Sequence, residues 1–139
     1  MKNAFHLSLP CLNIEKTRSF YIDKLGAELG RFAHNWIDID LFEHQITFTQ
    51  CKKFHFDYPQ YSFEGKVLPS FHFGIITEPE LWNSLYQRLS ANLPAGLEKT
   101  SFLRNEPGEH RTFFVKDPNG YIIEFKCFRE QGQTFSRKD

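Results

Sequence analysis

An α+β domain built from two β-α-β-β-β modules is the fold class that this sequence predicts. Three observations carry the prediction: two alternating strand segments share a Phe-His pair, an amphipathic helical segment follows each, and three short strand segments follow each helix. The chain has 139 residues, enough for one domain that buries roughly 70% of its unfolded surface.

The elements follow in order. Residues 4–9 alternate, with Phe5, Leu7 and Leu9 on one face and Ala4, His6 and Ser8 on the other, which is the pattern of a half-buried strand. Asn13 is an N-cap residue, Phe20, Tyr21, Lys24 and Leu25 recur at helical spacing, and Gly26 stops the run, so a helix is expected over 14–25. Strands are expected at 28–32, 36–42 and 45–50, with Glu43-His44 as a tight turn. The segment 51–68 mixes aromatics with Lys, Pro and Gly, fits neither period, and reads as a linker. A second alternating strand spans 69–76, with Phe71, Phe73 and Ile75 opposite His72. Glu78-Pro79-Glu80 then opens a helix continued by Leu81, Leu85, Leu89 and Leu93. Strands follow at 97–103, 112–115 and 121–128, separated by turns at Pro107-Gly108 and Asp117-Pro118-Asn119-Gly120. The expected organisation is one domain over 1–139, with module one at 4–50, the linker at 51–68, module two at 69–128 and a polar, unstructured tail at 129–139.

Phe5-His6 and Phe71-His72 stand at the same point of the first strand of each module. Aligning the last strands from Asp40 and Asp117 matches Thr47 with Glu124 and Phe48 with Phe125. Fold duplication is the economical explanation; chance likeness of short strands is the alternative.

Composition excludes several function classes. Lys and Arg number 17, Asp and Glu also 17, so no net field favours nucleic acid or an anionic membrane. No apolar run reaches membrane-spanning or signal-peptide length, so a soluble, cytoplasmic protein is expected. Cys11, Cys51 and Cys127 form no CxxC pair and are expected as reduced apolar fillers. Sixteen Phe, 5 Tyr and 2 Trp suit a globular protein that encloses something.

A β-α-β-β-β module carries its helix on one face of the sheet, so the other face is open to polar residues. Strand parity puts His6, His72 and Glu124 on that open face. Two imidazoles and one carboxylate form a facial set suited to one divalent ion, Fe(II) first, with Mn(II) or Zn(II) as alternatives. Each residue alone has a plainer reading as a hydrogen-bonded or surface side chain.

The strands FHLSLP and FHFGII, each followed by a helix, and the closing DPNGYIIEF resemble the vicinal oxygen chelate superfamily. That superfamily holds glyoxalases, extradiol dioxygenases, fosfomycin-resistance thiol transferases and bleomycin-binding proteins. The likeness covers roughly 4–128, and it implies paired modules forming a curved mixed-sheet cup. It also implies His6, His72 and Glu124 as metal ligands. Glyoxalases add a fourth ligand at the place held here by Thr47, which disfavours that activity. Dioxygenases and thiol transferases use three ligands, but both usually carry a Tyr where this chain has Phe114.

By parity, Ser8, Gln45, Thr47, Thr49 and Lys126 share the open face and are candidates to bind substrate or orient a ligand. Arg104 and Arg111 bracket a hairpin connection and are candidates for an anionic substituent. His110 is the candidate general base. His34, His44 and His55 are expected to be structural or surface residues. The expected function is that of a mononuclear metal enzyme, a dioxygenase acting on a small aromatic or vicinally oxygenated substrate. Metal-dependent lyase, isomerase or thiol transferase activity, and a non-catalytic small-molecule binding or resistance protein, are the alternatives. A homodimer is expected, with neither nucleic acid nor membrane as partner.

Overall fold

The computed structural model describes residues 3–93 and 97–137; the first and last two residues of the expected domain, and 94–96, lie outside the described residues. The chain divides into two compact units, the first made of 1–56 with 117–120, the second of 57–116 with 121–139. Each holds a four-stranded mixed sheet with the same topology.

In the first unit, β1 (His6–Cys11) runs parallel to β4 (His44–Gln50). Strand β4 is antiparallel to β3 (Trp36–Leu41), and β3 to β2 (Glu28–Ala33). The helix expected here begins as α1 (Ile14–Arg18), where the Asn13 Oδ1 accepts from the Lys16 N–H at 2.8 Å. It then widens into a π-helical segment, Ser19–Lys24, in which the Leu25 N–H reaches back to the Phe20 carbonyl. Gly26, at a φ of 86°, ends it. Tyr21, Leu25, Ile37, Ile39, Leu41, Ile46 and Phe48 make the buried core. The buried Tyr21 hydroxyl donates to the Asp117 carboxylate at 2.9 Å, which ties the DPNG turn into this core. Phe5, expected among the helix-facing residues, is 63% exposed. The strand begins after it, and Leu9 and Cys11 take the buried places.

The second unit repeats the pattern: β7 (Phe73–Ile76) is parallel to β10 (Ile122–Phe128), which is antiparallel to β9 (His110–Lys116), and β9 to β8 (Thr100–Phe102). Helix α2 (Pro79–Ala91) buries Trp82, Leu85 and Leu89, while Leu81 is 39% exposed. A strict spacing of four drifts around a helix of 3.6 residues per turn, so Trp82 takes the inward place expected of Leu81. The Trp82 indole N–H donates to the Phe125 carbonyl at 2.9 Å, and its ring meets Phe113, which stacks on Phe125.

The segment expected to be a featureless linker contains a hairpin, β5 (Gln60–Phe63) and β6 (Lys66–Pro69). Glu64 and Gly65, both at positive φ, form its two-residue turn, the sort that matches strand twist. Aromatic residues and proline hid the period-two signal there. The tail likewise holds a short 3₁₀ turn at Gln131–Gln133.

The registers bear on the duplication. Ser8 pairs with Thr47 across β1 and β4, and Gly74 pairs with Glu124 across β7 and β10. His6 and His72 each lie two residues before that pair, so the strand register places them, and Thr47 and Glu124, at equivalent positions of the two sheets.

Gly74 is required by close packing. A Cβ there would lie 1.7 Å from the Glu124 carbonyl oxygen, and backbone on both sides cannot yield without parting β7 from β10. Gly74→Ala should therefore destabilise the protein by about 1–3 kcal/mol in urea denaturation. Gly132→Ala, with open space around it, serves as the neutral comparison; equal midpoints for the two variants would contradict this account.

Candidate functional site

Glu124 is the centre of the open face of the second sheet. It is only 8% exposed, and a carboxylate taken out of water must find donors. Thr112 on β9, whose register partner is Lys126, donates its hydroxyl diagonally to Oε1 at 2.8 Å, and the Lys126 ammonium lies 3.8 Å from the same oxygen. His72 presents Nε2 to Oε2 at 3.1 Å. The His72 ring is set from behind by the Pro69 carbonyl, 2.9 Å from Nδ1. A carbonyl only accepts, so Nδ1 carries a proton and Nε2 is the atom that faces the carboxylate.

That arrangement fits a divalent ion. Two lone-pair atoms this close need a cation between them, a proton or a metal. Adjacent donors at about 2.1 Å from one ion, roughly 90° apart, are themselves about 3 Å apart. The proton alternative is visible in the acidities. The hydrogen bond to Glu124 outweighs desolvation and raises the His72 pKa. For Glu124, burial acts to raise the pKa, but the His72 bond, Lys126 and Thr112 more than offset it and hold the carboxyl below its ordinary value.

A cavity of about 330 Å³ opens on this pair, lined by Tyr61, Phe63, Leu68, Phe102, His110, Phe114 and Lys126 as well. The hairpin β5–β6 thus supplies its apolar wall. Phe114 meets His72 edge to face at 5.5 Å. His110 shares the open face; its Nδ1 lies 2.8 Å from the Gly108 carbonyl, which leaves Nε2 as the free acceptor, and its ring sits between Phe102 and Phe128.

In the first unit, His6 lies on the open face as parity required. Its Nδ1 is 2.7 Å from Gln45 Oε1. Gln45 Nε2 and Thr47 Oγ1 donate to the two oxygens of Asp38, at 3.1 and 2.6 Å, and Arg31 Nε adds a third donor at 3.0 Å. Gln45 and Thr47 are therefore engaged with Asp38, while Ser8 lies exposed beside them on β1.

The arginines part company with His72 and Glu124. Arg111 alternates with Thr112 on β9, so it faces the helix, where its guanidinium lies 4.3 Å above the Trp82 ring. It shares a depression at the sheet edge with Arg104, Glu109 and Arg129. His44 accepts the Phe5 N–H through Nδ1, a structural role. Asp38 and Thr112 were not singled out in the sequence. Parity puts both on the open face, but only the cross-strand partners make them matter.

Among the described residues, no group of three His, Cys, Asp or Glu side chains is gathered for a metal ion. His72 and Glu124 are in the second unit and His6 in the first. No helix of the described residues is long and apolar enough to cross a membrane.

Comparison with known proteins places these features in context. The model of the Glyoxalase/Bleomycin resistance protein/Dioxygenase superfamily matches residues 4–125. Similar solved structures include a glyoxalase/bleomycin resistance protein/dioxygenase from Alicyclobacillus acidocaldarius, 24% identical over 96% of each chain with a TM-score of 0.79. The genomically encoded fosfomycin resistance protein FosX from Listeria monocytogenes is 14% identical, covering 96% of this chain and 98% of its own, with a TM-score of 0.61. A glyoxalase/dioxygenase from Nostoc punctiforme is also 14% identical, over 93% and 92%, with a TM-score of 0.64. At these identities the likeness is one of fold. No curated protein sequence matches the chain.

The paired acidities set a pH window for the chelator-treated protein. The stabilising contribution of His72 is complete below about pH 6.5 and is lost as pH rises through its raised folded value. That of Glu124 is present above about pH 4.3 and is lost as pH falls through its lowered folded value. Unfolding free energies from urea titrations should separate wild type from His72→Gln most widely between those limits, by about 1.5–3 kcal/mol, with the gap closing at alkaline pH. A difference that stays constant across the range would rule out the charged pair.

Proposed function

This chain belongs to the glyoxalase/bleomycin resistance protein/dioxygenase superfamily, and from that membership we propose that it is a divalent-metal enzyme acting on a small aromatic or vicinally oxygenated molecule. His72 and Glu124 are two of the proposed ligands, His6 the third, and iron the first choice of ion. One observation carries the reading: an imidazole nitrogen and a buried carboxylate oxygen face each other at 3.1 Å, with the imidazole fixed from behind.

Bound there, the ion supplies a Lewis acid for adjacent substrate oxygens and, as iron, the means of activating dioxygen. The chain's own residues do the rest. Thr112 keeps the Glu124 carboxylate from rotating. Tyr61, Phe63, Phe102 and Phe114 give a flat ring apolar surfaces to lie against and exclude water. His110, its Nδ1 proton committed to Gly108, can take a proton from a substrate hydroxyl at Nε2. Lys126 offers positive charge to the anion that results. Oxidation of such a substrate by dioxygen is the reaction we favour. Phe114 has no hydroxyl, so a hydrogen bond to substrate would come from other cavity-lining groups, His110, Lys126 or the Tyr61 hydroxyl.

Protein purified without added metal should contain about one divalent ion per chain, and His72→Ala or Glu124→Ala should lose it. A metal-free wild type that binds aromatic ligands as well as its variants do would leave a binding protein. With the Fe(II)-loaded enzyme, catechols should drive oxygen uptake at an electrode, and His110→Gln should lower kcat by about 100-fold or more. Turnover without oxygen consumption would move the assignment to the lyase or thiol-transferase branch.

A further inference from the structure

The hydrogen bonds around Asp38 form a directed chain that ends on His6. Asp38 is 3% exposed and receives Arg31 Nε and Gln45 Nε2 on one oxygen and Thr47 Oγ1 on the other. A carboxylate ion can only accept. The NH₂ end of the Gln45 amide is therefore compelled to point at Asp38, and its carbonyl end at His6. A carbonyl also only accepts, so the His6 nitrogen 2.7 Å away must be the donor.

We infer that Asp38 is a positioning residue for His6: acting through Gln45, it fixes the neutral imidazole as the Nδ1–H tautomer and leaves the lone pair on Nε2. A solvated imidazole favours the opposite form, so the chain has work to do. Glycine at position 30 lets β2 pass close to β3 at Asp38. A Cβ at Gly30 would meet the Asp38 Cβ and carbonyl oxygen at 3.1 Å. The β2–β3 pairing slips between Leu29 and Phe32, the stretch that carries Arg31.

The fold itself does not demand an acid at this point. Asp38 pairs with Thr47, and the matching pair in the second unit is Phe114 with Glu124. The same architecture therefore stands with phenylalanine there. What Asp38 adds is direction, and the value of that direction for metal binding rests on the ligand role proposed above for His6.

The test uses the full chain, ¹⁵N-labelled and chelator-treated, with the His6 ring assigned by its loss in His6→Ala. Long-range proton–nitrogen correlation should find neutral His6 as Nδ1–H in wild type, shifting toward Nε2–H in Asp38→Asn and in Gln45→Leu. Gln45→Leu leaves Asp38 paired to Arg31 and Thr47, so it reads the relay even where Asp38→Asn folds poorly. Zn(II) affinity by competition should fall about 10–100-fold in both variants. An Nε2–H ring in wild type, or Nδ1–H retained in both variants, would overturn the inference. Should the tautomer shift as expected while His6→Ala binds Zn(II) like wild type, the relay stands and the ligand role of His6 fails.

Discussion

Each sheet keeps one carboxylate out of water on the face away from its helix, and most of the local structure answers to that constraint. Desolvating a carboxylate is tolerable only when donors surround it, and removing one partner of a buried charged set is strongly destabilising, by about 3–5 kcal/mol. Glu124 therefore requires Thr112 on the next strand, His72 at the head of β7 and Lys126 beside it. Asp38 requires Arg31, Gln45 and Thr47. The strand registers that bring these partners opposite one another are thus fixed by polar satisfaction on one face, as well as by apolar packing on the other.

A second regularity follows from the first. His6, His72 and His110 each have Nδ1 against a carbonyl oxygen, respectively the Gln45 side chain, the Pro69 backbone and the Gly108 backbone. The acceptors differ in origin, but all impose the same tautomer and turn Nε2 outward. For His72 and His6 that makes a lone pair available to a metal; for His110 it makes an acceptor for a substrate proton. Hydrogen-bonding partners that never touch a ligand decide what the imidazoles can do.

Much of this was legible in strand parity. Alternation alone put His6 and Glu124 on open faces and Ile46, Phe48, Ile123 and Phe125 in the core, because a period of two assigns a face to every residue of a strand; His72, expected within a strand at 69–76, stands just ahead of β7, which begins at Phe73. The same rule would have turned Arg111 toward the helix, since it shares parity with Phe113 and Val115. The role of Asp38 was not legible. In WIDIDL it shares a face with Asp40, yet Asp38 is buried, whereas Asp40 is exposed near the strand end and accepts the Glu43 N–H. That contrast depends on which strands lie alongside, and a single sequence does not state it. The hairpin β5–β6 was missed for another reason: its strands are short, and the turn signal Glu64-Gly65 is weaker than Asn-Gly.

The duplicated fold has divided its labour through small substitutions at matched register positions. Beside His6 stands Gln45, which can accept a hydrogen bond from the ring N–H; the residue that corresponds to Gln45 in β10, one before the Ile123–Phe73 pair, is Ile122, and an isoleucine cannot. The second unit meets that need from the backbone, through the Pro69 carbonyl at the end of β6. Freed of that task, its sheet face carries a carboxylate at the Thr47 position and an aromatic ring at the Asp38 position, which are the groups that line the cavity. The hairpin that ends in Pro69 also contributes Tyr61, Phe63 and Leu68 to the cavity wall. The aromatic surplus of the segment between the modules is thereby accounted for in part: one insertion orients a histidine and encloses the space in front of it.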